Sequence, residues 1–111
     1  MVIQKFIQRM PKAELHVHLE GSIEPATLLM LAKRNHVDLP AQTIEEIHTW
    51  YQFSDFAHFI EVYLTICRCI QSAEDMELIA TEFIKDRAEQ NIRYSEVIFT
   101  PFTHRSKISM D

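Results

Sequence analysis

Ala13-Glu14-Leu15-His16-Val17-His18-Leu19-Glu20 is the stretch on which the fold turns. Apolar and polar residues alternate through it without a break. Leu15, Val17 and Leu19 fall on one side, and Glu14, His16, His18 and Glu20 on the other. A period of two predicts a β-strand over residues 13–20, packed on its aliphatic side and polar on its histidine side. The only glycine of the chain, Gly21, follows at once. A sharp turn there ends the strand and leaves its histidines at the C-terminal end, where parallel α/β barrels keep their active sites.

Outward from this strand the pattern changes to helices. Residues 6–10 read as a short helix closed by Pro11. Pro25 suits the first turn of a helix whose apolar stripe is Leu28, Leu31 and Ala32, with Lys33 and Arg34 favourable at its C-terminal end and Asn35 as a left-handed cap. After a loop around Pro40, residues 43–50 suggest a short helix. Ser54 is then read as the cap of a longer one, in which Phe56, Phe59, Ile60, Tyr63, Ile66, Cys67 and Ile70 recur at helical spacing. Ser72 and Asp75 have the spacing of a capping box for a further helix with the stripe Met76, Ile79, Ala80 and Phe83, closed by Asn91. Residues 93–100 are rich in aromatic and β-branched types and predict a second strand, stopped by Pro101. The expectation is one α/β domain over residues 1–111: two parallel strands, about 13–20 and 93–100, around a helical insertion of about 24–90. Two strands do not complete such a sheet. Their unpaired edges predict self-association of the isolated chain.

Composition removes several classes. With 47% hydrophobic and 24% charged residues the chain is an ordinary globular one of 111 residues. Sixteen acidic against eleven basic residues give a net charge of −5, and the basic ones are scattered, so nucleic acid is not an expected partner. No apolar run is long enough to span a bilayer, and the first residues lack the pattern of a secretory signal. A single glycine argues against a phosphate-cradling loop. Cys67 and Cys69 point to different sides of one helix, which suits neither a disulfide nor a metal clamp; two core thiols in a reducing cytoplasm are expected.

His16 and His18 carry the chemical signal. Two imidazoles side by side on one strand face can reach one divalent metal at about 2.0–2.1 Å. A polar strand face of hydrogen-bonded imidazoles is the plainer alternative, and the pair alone does not choose between them. Glu14 and Glu20 flank the pair. Glu14 could orient a ligand histidine, although a salt bridge at the base of the strand is the simpler use. Glu96 is read as a structural ion-pair partner. His36, His48, His58 and His104 fall on helices or loops and are read as surface or packing residues; His104, following the end of a strand, has the best claim to more.

The run Pro11-Lys12-Ala13-Glu14-Leu15-His16-Val17-His18-Leu19-Glu20-Gly21-Ser22-Ile23-Glu24-Pro25-Ala26-Thr27-Leu28 resembles the opening motif of the adenosine and adenine deaminase family. Tyr94-Ser95-Glu96-Val97-Ile98-Phe99-Thr100-Pro101 is similar to that family's next barrel strand, and the stretch from Phe53 to Tyr63 resembles its helical insertion. The resemblance implies the N-terminal part of a (β/α)8 TIM-type barrel, mostly helical in this portion. It implies one zinc ion per complete active site, which activates the water that replaces the amino group of a small-molecule purine base or nucleoside. On this resemblance His16 and His18 match two metal ligands. Glu20 falls where adenosine deaminases carry an aspartate that contacts the ribose, so Glu20 and Gly21 are expected to touch substrate. Glutamate there is closer to adenine deaminase-like and aminofutalosine deaminase-like members, and Pro101-Phe102-Thr103-His104 departs from each subgroup.

The family's other ligands, a histidine and an aspartate, together with its proton-shuttling glutamate and a further catalytic histidine, belong to later strands. None has a counterpart here. A whole barrel takes about 250 residues, so the resemblance implies a cytoplasmic, metal-dependent aminohydrolase of purine metabolism as the parent. The chain would then supply two ligands, no catalytic residue and no activity by itself. Two rivals stand beside this. One is a non-catalytic helical interaction module or truncated relic. The other is a different His-x-His metallohydrolase, which the Pro-Lys-x-Glu-Leu prefix disfavours.

Overall fold

The computed structural model describes residues 2–109. Helix α1, Val2–Arg9, leads into strand β1, Lys12–His18; a 3-10 turn, Glu20–Ser22, links it to α2, Pro25–Arg34. Then come α3, Ile44–Trp50; α4, Phe56–Cys69; α5, Ala73–Glu89; strand β2, Ile92–Ile98; and a short helix α6, Pro101–His104. The strands form a two-stranded parallel sheet. The expected order of strand, helices, strand is therefore present. Both strands start and stop one or two residues early, and α6 continues the chain where only a stop at Pro101 was expected.

The core lies among the helices. Leu28 and Leu31 of α2 are wholly buried, as are Ile47 of α3 and Cys69 of α4, and Val62, Ile66, Ile70 and Ile79 close around them. This matches the apolar stripes expected of α2 and α5. Helix α4 differs. Its core side is Val62, Ile66 and Cys69, whereas Phe56, Phe59 and Ile60 of the expected stripe remain exposed. The helix has two apolar sides, and the aromatic one faces away from the core.

Local capping sets the helix starts. Asp55, not Ser54, caps α4: its side chain accepts the His58 amide, while the Ser54 amide donates to His58 Nδ1. Asn35 keeps an ordinary φ of −99°, and the left-handed residue after α2 is His36. Thr43 makes a full capping box on α3, accepting the Glu46 amide at 3.2 Å while the Glu46 carboxylate accepts the Thr43 amide at 3.2 Å. Thr43→Ala is expected to lower stability by about 1 kcal/mol in urea denaturation, the usual loss for such a cap.

The capping box at the start of α5 does more than cap. Asp75 accepts the Gln71 and Ser72 amides at 2.8 and 3.1 Å, Asn35 Nδ2 at 2.7 Å, and an ion pair from Arg34. Its side chain is 1% exposed. One carboxylate thus joins the end of α2 to the start of α5. At the base of the sheet Glu14 pairs with Arg87 of α5, the salt bridge expected of it, and the Arg87 guanidinium lies over the Phe83 ring. Glu96 makes no ion pair among the described residues; it is exposed and accepts the Tyr94 hydroxyl at 2.9 Å.

Candidate functional site

Strand β1 is not regular. Glu14 pairs with Ser95 and Val17 with Val97, so three steps along β1 match two along β2. The extra residue is a bulge, and His16 sits in it with φ of 66°. A left-handed histidine is uncommon, and such strain gathers at functional positions. The bulge also breaks the expected alternation. Leu15, assigned to the packed side, is 63% exposed, whereas Glu14, assigned to the open side, turns to Arg87.

His16 and His18 nevertheless stay together. Their ring centroids are 5.4 Å apart at 66°, and both side chains are exposed. Beyond His18 an aromatic row extends along α4. Tyr63 lies edge-on to His18 at 6.2 Å, Phe59 stacks with Tyr63 at 6.3 Å, and Phe53 meets Phe59 edge-on at 5.0 Å. The aromatic side of α4 that misses the core therefore serves this site. His16, His18, Gly21, Phe59, Tyr63 and Thr100 wall an open cavity of about 540 Å³, within the usual span of small-molecule sites, about 300–1,000 Å³. Among the described residues a hollow of similar size along α1 is lined by Gln4, Lys5, Ile7 and Gln8, none of them a histidine, cysteine or carboxylate that could hold a metal.

Gly21 lines the cavity, but not for the reason its sequence position suggested. No glycine takes a positive φ, and a Cβ on Gly21 would meet His18 and Tyr63 at 3.6 and 3.9 Å, ordinary contact distances. A small residue keeps the wall low there; the unusual backbone belongs to His16.

Glu20 departs further from expectation. It is not on the strand face but opens the 3-10 turn, wholly buried and away from the cavity lining. Its Oε1 accepts the Thr100 amide at 3.3 Å and faces His104 Nε2 at 3.0 Å. His104 is therefore neither a surface residue nor simple packing. The pair is 84 residues apart in sequence, and its only sequence signal was the position of His104 just after a strand. His36 and His48 are exposed and His58 half-buried at a helix start. None of them joins the pair.

The donor set at His16 and His18 suits zinc, which takes imidazole nitrogen in tetrahedral sites. It is half of such a set. Among the described residues no group of three or more His, Cys, Asp or Glu is placed to hold a metal. The cysteines add nothing: both are buried and unpaired, and burial pushes each thiol up to about 11, far from the thiolate that a metal needs. No helix among the described residues is long and apolar enough to cross a membrane.

Comparison with known proteins places this geometry in context. The family model described as adenosine deaminase matches residues 11–111. An adenine deaminase of Cupriavidus pinatubonensis is 38% identical over 101 residues, 91% of this chain and 29% of that protein. An uncharacterised deaminase of Schizosaccharomyces pombe is 39% identical over 102 residues, 92% of this chain and 30% of its own length. Among solved structures, the adenine deaminase of Arthrobacter aurescens superposes with a TM-score of 0.75 at 32% identity, covering 86% of this chain and 29% of that one. The Arabidopsis N6-mAMP deaminase gives 0.72 at 28% identity, covering 93% and 31%. The chain thus spans about three-tenths of the length of the relatives it matches.

Proposed function

Because this chain belongs to the adenosine deaminase family, we propose that it is the opening segment of a zinc-dependent aminohydrolase acting on an adenine-type purine. Its architecture is the N-terminal part of a (β/α)8 barrel. The observation that carries the reading is the His16–His18 pair, held together at the mouth of a cavity with an aromatic wall.

His16 and His18 would hold the metal through neutral ring nitrogens, the remaining ligands coming from later strands of a complete barrel. When bound, zinc acidifies a water to near-neutral pKa and so supplies the hydrolytic nucleophile. The residues of this chain do the rest by position. Phe59 and Tyr63 offer flat apolar surface to a purine ring and shield the reacting centre from bulk water. Gly21 leaves room above His18. Glu20, although expected to touch substrate, is better placed to shape the turn on which Gly21 sits.

The exposed apolar residues around the site await partners from the rest of a barrel. Leu15, Tyr94 and Val97 lie open on the sheet, and each strand has one unpaired edge. Later strands cover them in a whole barrel; the isolated chain self-associates and is inactive. Two unpaired buried thiols fit a reducing cytoplasm. A direct test is an assay of the full-length protein carrying this chain, offered adenine, adenosine and N6-methyl-AMP. Stoichiometric release of ammonia, or of methylamine from the methylated nucleotide, is expected with at least one of them. Inactivity of zinc-loaded protein on all three removes the reading.

A further inference from the structure

Two buried side-chain atoms have no hydrogen-bond partner among the described residues, and both belong to one pair: Glu20 Oε2 and His104 Nδ1. Their other atoms meet. The His104 Nε2–H donates to Glu20 Oε1 at 3.0 Å, and the same oxygen accepts the Thr100 amide at 3.3 Å. Phe99 lies parallel to the imidazole, 10° between planes and 6.2 Å between centroids, which fixes the plane of the ring. Histidine and glutamate are rarely buried so completely, and leaving polar atoms unmatched is unfavourable. Such a pair calls for an explanation beyond filling space.

What the pair joins supplies one. Glu20 lies two residues beyond His18 and opens the turn that carries Gly21. Thr100 caps the start of α6, the short helix that follows β2, and His104 ends it; Thr100 is itself a wall of the cavity. A single carboxylate oxygen therefore ties the C-terminal ends of both strands together under the site. We propose that His104 is a positioning residue for the histidine pair: it holds Glu20, Glu20 holds the turn, and the turn fixes where β1 delivers His18. The consequence for metal rests on the zinc reading above; the consequence for the turn does not.

The test uses the full-length protein with His104→Ala and His104→Gln, glutamine being able to offer an N–H to the same oxygen. Backbone hydrogen exchange is read by mass spectrometry on peptides covering residues 12–24 and 92–106. His104→Ala is expected to speed exchange there about tenfold or more while α2 and α5 keep their protection, and His104→Gln to restore it, as local opening without global unfolding requires. Unchanged exchange in His104→Ala overturns the proposal. So does a loss spread equally over α2 and α5, or a glutamine variant that restores nothing, because each makes His104 ordinary structural support.

Zinc affinity of the metal-free proteins, measured by competition with a chromophoric chelator, is expected to fall about tenfold in His104→Ala and recover in His104→Gln, in line with other residues that orient metal ligands indirectly. Equal affinity in all three refutes the link to the metal. A wild-type protein that takes up no zinc refutes the zinc reading instead, and leaves the exchange experiment to judge His104.

Discussion

Replacing either His16 or His18 with alanine is expected to strip zinc from the full-length protein and lower purine turnover by more than about 100-fold. The bound is set by comparison: disturbing a residue that merely supports a ligand weakens a metal site by about 10–100-fold, so losing the ligand itself does more. On the zinc reading chemistry would follow the metal, because without it the attacking water would keep its bulk acidity. Both imidazoles are exposed and take no part in the core, so the stability of the metal-free protein is expected to change by no more than about 0.5 kcal/mol, whereas the zinc-loaded wild type gains whatever stability the bound ion adds. That separation makes the result interpretable. Zinc content and release of ammonia or methylamine should fall together in variants whose metal-free forms unfold at the temperature of metal-free wild type, while His36→Ala, at an exposed position outside the site, should change neither. Full activity in His16→Ala and His18→Ala would exclude the pair from the metal site.

The second large effect lies in the frame. Asp75→Ala is expected to destabilise the chain by about 2–3 kcal/mol, the usual cost of leaving buried donors without an acceptor, since the Arg34 side chain, 45% exposed, can turn to water. The alanine removes the acceptor of the Arg34 guanidinium and of the Gln71 and Ser72 amides, and one of the two acceptors of Asn35 Nδ2, which keeps the Cys69 carbonyl. Asp75→Asn, which keeps one acceptor oxygen, should lose less. The effect also has a pH signature. Burial by itself raises the Asp75 carboxyl, but the Gln71 amide, the Asn35 side chain, the Arg34 charge and the Ser72 amide outweigh it and hold the group below its usual 3.8. A carboxylate whose folded pKa is depressed contributes stability that is complete above its unfolded pKa and disappears as pH falls through the folded value. The stability gap between wild type and Asp75→Ala should therefore be constant from neutral pH down to about 5 and narrow below 4. A gap that widens in acid would show that the charged carboxylate is not the stabilising form.

The parts of this fold that depend on near neighbours were readable from the residues. A period-two run located the first strand, and a run of aromatic and β-branched residues the second. Leu28, Leu31 and Ala32 marked the buried face of α2, and Ser72 with Asp75 marked the start of α5. What escaped depends on partners distant along the chain. The bulge at His16 exists only as a mismatch of register against β2, which no period along β1 alone reveals. Asp75 looked like a cap, and its second role appears only when Arg34 and Asn35 arrive from α2. Helix α4 carries apolar residues on two sides, so spacing could not say that Val62 and Ile66 enter the core while Phe59 turns to the cavity. At the site the histidine pair was legible because two residues of one strand suffice for it. The Glu20–His104 pair was not, since it joins the ends of two different strands.

Zinc K-edge X-ray absorption of the full-length protein, wild type against the His16→Ala/His18→Ala double variant, addresses the central claim most directly. The wild type is expected to show a zinc shell with imidazole nitrogens at about 2.0–2.1 Å, and the variant either to hold no zinc or to show the imidazole signal reduced by two ligands. An identical shell in both proteins, or a purified wild type that binds no zinc at all, would contradict that claim.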